Sequence, residues 1–299
     1  MFLLTFTLLL QIWGCKEDSK TSQPESAPKN VATIESASKP IEFVEPISPS
    51  AVRFAKGIFY KPNMDAHEDD VRMAPLIIRE VNSSSDQPTS EFLGTLAKDS
   101  TEPAVFLFAD TIELNGVTYK RLAHLWTYAD SDKGTGALGC VQVVFNQSSE
   151  PVLWGVHSPR RAIDEVYVAK SVEVAAKREH GDPPTGRKFS VEKSRKASPI
   201  RVVRLLKDGP EPMGPMVYVA DAPRRVAALA CRCMDSQVDE ILDAGFYRLI
   251  RSVSGDDLGV SITEQVQGFF ESNGMNFDDR LEQFLSRDLS THLRLPASL

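Results

Sequence analysis

From Ala51 to the C-terminus, apolar residues come in short runs, many alternating with polar ones and separated by turn-forming residues. A period of two is that of a strand with one face in a core, whereas a helix repeats at three and four. The clearest case is "AVFLFADTIELNGVTYKRLAHLWTYAD", where Asn115-Gly116 parts two β-prone runs. Asn-Gly accepts the positive φ pair of a type I′ turn, so this stretch predicts a hairpin. Further strands are predicted at 140–146, 152–157, 165–169, 188–192, 200–206, 216–220, 226–233 and 246–251. Asp221-Ala222-Pro223-Arg224 is turn-like, which makes 216–220 and 226–233 a second hairpin.

Helical signals are fewer. Asp65-Ala66-His67-Glu68 has the form of a capping box and predicts a helix to about Glu80, kinked or shortened by Pro75. His67 would lie in its first turn, beside acids that favour the positive end of the dipole. Ser171 starts a predicted short helix ending at Gly181, and Ser236 one ending at Gly245. Ser261-Ile262-Thr263-Glu264 is another capping box, and Phe277, Leu281, Phe284 and Leu285 recur at helical spacing. The pattern therefore predicts an α+β globular region over 51–299, with a predominantly antiparallel sheet, a few short helices and a helical tail over 253–299. A subdivision near 158–162 is allowed, although no low-complexity linker marks it.

The first 50 residues follow different rules. Phe2 to Trp13 (FLLTFTLLLQIW) carries no charge and no polar face. Twelve helical residues reach about 18 Å, short of a hydrocarbon core of about 30 Å, so the run fits a secretory signal better than a membrane span. Residues 16–50 hold seven Ser and five Pro and no Gly, Trp or Tyr. Such a segment buries too little apolar surface to offset its ordering entropy and reads as a disordered tether, spanning roughly 30–35 Å as a coil.

A short apolar run, then Ile12-Trp13-Gly14-Cys15, then a Ser/Pro-rich tether, resembles the signal peptide and lipobox of a bacterial lipoprotein. Ile12 and Gly14 fit that pattern. Trp13 departs from it, and no Lys or Arg precedes the apolar run. The resemblance implies that residues 1–14 are removed and that Cys15 becomes an acylated N-terminus, with thioether-linked diacylglycerol and an amide-linked acyl chain. Stable anchoring takes more than one chain, at about 0.8 kcal/mol per buried CH₂. Lys16 after the cysteine implies the outer membrane.

Charge changes the picture only by exclusion. A net charge of −7 argues against nucleic acid as a partner. From Lys177 to Lys207 there are ten Lys or Arg against three acids, and from Asp235 onward five Arg against twelve acids. The basic strip could face anionic headgroups or envelope polymer, or simply complement the acidic tail.

Gly134-Thr135-Gly136-Ala137-Leu138-Gly139 satisfies G-x-G-x-x-G, but a predicted strand follows it where the dinucleotide fingerprint needs a helix, so a loop is the better reading. Asp130, Asp132 and Gly134 begin like a calcium loop, but Thr135 and Val141 stand where Gly and Glu are required. The patterns G-x-S-x-G and H-E-x-x-H do not occur, and His67, His124, His157, His180 and His292 show no ligand spacing.

Four cysteines make no disulfide scaffold. On a strand, Cys231 and Cys233 point to one face. With Cys140, and Met213 nearby, they form a candidate site for copper or zinc. Buried thiols packing as small hydrophobes, or a disulfide from Cys140 to one of the pair, serve as well. The rigid loop 208–215 (DGPEPMGP) and the CRCM stretch resemble uncharacterised exported bacterial proteins, which implies no activity. No nucleophile, base and orienting residue assemble from the sequence. The expectation is a lipid-anchored envelope protein whose domain binds or scaffolds an envelope protein, polymer or small ligand without a cofactor. The alternative is a metal-binding or thiol-redox protein using Cys231 and Cys233.

Overall fold

The computed structural model describes residues 54–81, 103–128, 138–158, 164–181, 200–206, 211–220, 225–232, 238–252, 259–274, 277, 279–287, 289, 293 and 295–299. Cys15, the tether, most of the basic strip, the Asp130 and Asp132 loop, and Cys233 lie outside them. The strands are β1 (Phe54–Pro62), β2 (Leu76–Glu80), β3 (Ala104–Leu114), β4 (Val117–Thr127), β5 (Leu138–Phe145), β6 (Pro151–His157), β7 (Asp164–Ala169), β8 (Ile200–Leu206), β9 (Met216–Ala220), β10 (Arg225–Ala230) and β11 (Val238–Arg251). The helices are α1 (Glu68–Met73), α2 (Lys170–His180), α3 (Ile262–Ser272) and α4 (Asp279–Ser286).

All eleven strands form one sheet, in the order β10-β9-β2-β1-β11-β3-β4-β5-β6-β7-β8, curled into a nearly closed barrel. β3 to β7 are a run of antiparallel neighbours, as the chain pattern predicts. β1–β2 and the predicted hairpin β9–β10 are antiparallel too, but the expectation of a predominantly antiparallel α+β fold fails at the other four pairings and at the barrel they build. β1–β11, β11–β3, β2–β9 and β7–β8 are parallel. Parallel neighbours are joined by crossovers between distant segments, and local hydrophobic period carries no trace of that. β6 and β7 pair across residues 158–163 within the same sheet.

β11 is the main correction. The run from Ser236 to Gly245 reads as a helix, yet Val238–Arg251 is a single 14-residue strand. Phe54–Phe59 of β1 pair with Val238–Asp243, and this ladder overrides the helical preference of an acidic segment. Pro75 shortens α1 as expected, since it has no N–H to continue the helix, which stops at Met73 and not near Glu80. Leu76–Glu80 then becomes a strand between β1 and β9. The N-cap is His67 rather than Asp65, with Nδ1 accepting from the Asp69 N–H at 3.4 Å. A further correction concerns the chain end. α3 and α4 are present, but Leu289, Leu293 and Leu295 follow them into the core without helix, so the C-terminus is not a helical tail.

The two faces of the sheet have separate cores. Leu107, Leu122, Trp126, Val141, Val143 and Val156 belong to the cluster inside the barrel. Phe106, Phe108, Ala123, Leu125 and Cys140 point outward and pack under Ile262, Val266 and Phe270 of α3 and Leu281, Phe284 and Leu285 of α4. Burying a side chain such as Phe108 is worth roughly 1.5–3 kcal/mol, which is what holds the two helices on the wall. Ser261 and Glu264 close the predicted capping box at the start of α3. Loop 211–215 does not project: Gly214 donates to Arg72 O at 3.0 Å, and a Cβ there would meet Met73 O at 2.2 Å.

Candidate functional site

Along β4 the side chains of Leu122, His124 and Trp126 follow one another on the barrel's inner face. The pairing of His124 with Leu107 and Val141, both in the inner cluster, fixes that orientation. His124 is fully buried, and neither ring nitrogen has a hydrogen-bond partner among the described residues. Burial, with the Arg232 charge adding to it, lowers its imidazole from the usual 6.5 to about 3, so the ring is neutral. The indole Nε1 of Trp126 is buried and unpartnered as well. Its ring lies over Gly139, where a Cβ would come within 2.4–2.6 Å of three indole atoms. A glycine of the G-x-G-x-x-G run is thus explained by an indole and not by a phosphate.

Two strands away, Trp154 stands opposite Val143 and Tyr167 and so faces inward too, again with Nε1 unpartnered. Arg232, half-buried just beyond β10, donates through Nη2 to the carbonyl of Ala74, and its Nε is another buried donor without an acceptor. Tyr247 on β11 completes this end by donating to Pro75 O at 2.6 Å. Burial pushes its phenol well up, against a smaller opposing pull from Arg232. α1 is held to the barrel by Asp70, which takes both carboxylate oxygens to Arg251 Nη1 at 2.8 Å.

The outer face carries its own polar groups under α3 and α4. Arg121 donates to both oxygens of Asp110 at 2.8 and 2.6 Å, to Gln142 Oε1 at 3.1 Å and to the Leu285 carbonyl at 2.7 Å. Asp110 also accepts from the Ile262 N–H at the start of α3, 2.8 Å away. Beside it, His157 Nδ1 lies 2.9 Å from Asp164 Oδ1, and Asp164 Oδ2 takes Arg287 at 2.9 Å.

No family model, curated protein or solved structure matches the chain. Function must therefore be argued from these groups.

Of the cysteines singled out in the sequence, Cys140 lies on β5 directly across the ladder from His157. It is a free, fully buried thiol. Burial raises its pKa far above the usual range, Asp164 reinforcing and Arg121 opposing more strongly than Asp164. The thiolate needed for nucleophilic or redox chemistry is correspondingly disfavoured. Cys231 is disulfide-bonded, so a Cys140–Cys231 bond is not formed. Cys140 sits in the outer cluster, while Cys231 lies at the end of β10, two residues past the inward-facing Leu229. Among the described residues no three His, Cys, Asp or Glu converge to hold a metal ion, and no helix is long and apolar enough to cross a membrane.

Sequence reasoning missed His124, Trp126, Trp154 and Arg232 as a group. The signal that was available is the spacing of two between Leu122, His124 and Trp126, which places an imidazole and an indole on one face of a strand.

Proposed function

We propose that this is a lipid-anchored protein of the bacterial cell envelope, held through acylated Cys15 and a tether, whose barrel is a binding module for a small ligand. The observation that carries the binding half is the set of buried polar atoms of His124, Trp126 and Trp154 that face the interior with no partner. Leaving such a group unmatched costs roughly 1–3 kcal/mol. Their place on the inner face of an apolar barrel suits recognition: mostly hydrophobic walls with a few polar groups. The anchoring half rests on the lipobox resemblance of Ile12 to Cys15.

Mass spectrometry of protein extracted from its own membranes tests both halves. The expected result is an N-terminal diacylglyceryl-Cys15 and a small molecule released on denaturation. An unprocessed, unacylated start recovered from the cytosol overturns the anchoring. This reading also fixes a disulfide: with Cys15 acylated and Cys140 free, the partner of Cys231 must be Cys233, which non-reducing peptide mapping checks.

The disulfide at Cys231 favours one competing reading, an envelope thiol-redox protein built on Cys231 and Cys233; metal carrying by the pair would first require its reduction to thiolates. Copper or zinc at near stoichiometry in the native protein would promote metal carrying.

A further inference from the structure

The unpartnered groups of the inner face are unequal in kind. The two indoles and Arg232 Nε can only donate, and the neutral imidazole of His124 offers one donor and one acceptor. Donors thus outnumber acceptors by four to one. Arg232 also brings a positive charge, and its only hydrogen-bond acceptor among the described residues is the uncharged Ala74 carbonyl. The walls between them are aromatic and branched aliphatic: Trp126, Trp154, Tyr167, Val141 and Val156 are all buried in one cluster. His124 and Trp126 are two residues apart on one strand, and Trp154 lies two strands over. Trp154 stands two strands across from Leu122, so at about 3.3 Å per residue and about 4.8 Å per strand its backbone lies ~12 Å from that of His124 and ~16 Å from that of Trp126.

We propose that the barrel interior binds a small aromatic carboxylate, its ring among the indoles and valines and its oxygens accepting from His124 and Arg232. This rests on the binding-module reading above and gives the ligand its class. An anion matches a guanidinium that has no carboxylate partner among the described residues. A flat ring is suited to the indole and phenol walls.

Entry does not need a preformed opening. β10 and β8 are the two end strands of the sheet order, so the barrel wall has a seam there. The Val226 N–H to Ser158 Oγ bond, 3.1 Å, ties β10 to the end of β6 across that seam. Arg232 follows β10 directly, which puts the charge that draws an anion at the end of the strand that must move. Cys231, pinned by its disulfide, sits beside it.

The test uses the full-length protein in detergent micelles. Quenching of tryptophan fluorescence and calorimetry are read with 2-naphthoate and with 2-methylnaphthalene, which has the same rings and no carboxylate. The expected result is saturable binding of one naphthoate per chain, with the hydrocarbon at least tenfold weaker. Arg232→Met and His124→Leu each weaken naphthoate at least tenfold, while melting temperatures show that both variants remain folded. Equal binding of the two probes, undiminished binding by both variants, or no binding of either probe overturns the inference. The broader reading has its own readout. A molecule of another class released from the extracted protein would keep the binding module and remove the carboxylate, whereas an extracted barrel that releases nothing and binds neither probe would remove both.

Discussion

Arg121 and His124 lie three residues apart on β4, both buried, on opposite faces of the same wall. Arg121 spends every nitrogen on a partner, and those partners reach into β3, β5 and α4. His124 spends none. On the outer face Arg121, Asp110 and Gln142 act as fasteners, tying α3 and α4 to the sheet through matched charge and hydrogen bonds, although His157 Nε2 and Gln265 Oε1 are unmatched there. On the inner face backbone ladders already hold neighbouring strands together, so the unmatched nitrogens of His124 and the indoles add nothing to the architecture. One set stabilises the fold; the other is tolerated by it, and that difference is the reason for assigning recognition to the interior.

The contrast is sharpest when Arg121 is removed. Arg121→Met strands the buried Asp110 carboxylate and should cost about 3–5 kcal/mol, read as a lowered denaturant midpoint. Adding Asp110→Leu should recover much of that loss. A double variant no more stable than the single would show that the pair is not the fastener. Next comes Gly139→Ala, whose Cβ meets the Trp126 indole at 2.4–2.6 Å. Overpacking predicts a loss of about 1–3 kcal/mol with a shift in tryptophan emission. Unchanged emission would place the indole elsewhere.

His124→Leu should run the other way. With no ligand present, removing two unmatched nitrogens gains up to about 1–2 kcal/mol at pH 7. The same residue predicts a pH dependence. Its pKa falls from 6.5 unfolded to about 3 folded, so between those values the unfolded chain binds the extra proton. Stability is therefore complete above about 6.5 and declines as pH falls toward 3, by about 1.4 kcal/mol per unit from this group. The difference between wild type and His124→Leu in acid isolates it, and parallel pH profiles would refute a neutral buried ring. The smallest effect belongs to Ser261→Ala, which opens the capping box of α3 and should lose about 1 kcal/mol by thermal unfolding.

Local signals were legible where local chemistry decides. Asn115-Gly116 adopts φ 52° and 75° and turns β3 into β4, Gly181 ends α2 at φ 76°, and Ser261 caps α3 through Glu264. Two things were not legible. β11 carries a helix-prone acidic sequence, and only its neighbours β1 and β3 make it a strand. The inward and outward faces were hidden as well, because Arg121 to Thr127 is an unbroken buried run. A strand covered by helices on one side and a barrel core on the other loses its alternation, and with it the cue that His124 points in while Arg121 points out. The site was thus concealed by the double burial of its strand.

β11 has one more consequence, for the order in which the molecule is made. Phe54 finds its partner in Val238, and Ala104 finds its own in Arg248. As the polypeptide emerges, the five-strand meander of β3 to β7 can assemble early, while β1 waits for nearly the whole remaining length before it has a ladder on that side. Closure of this kind, from far-separated parallel partners, is slow and leaves bare edges in the meantime. Refolding should therefore show a late phase in which the first and the eleventh strands lock together.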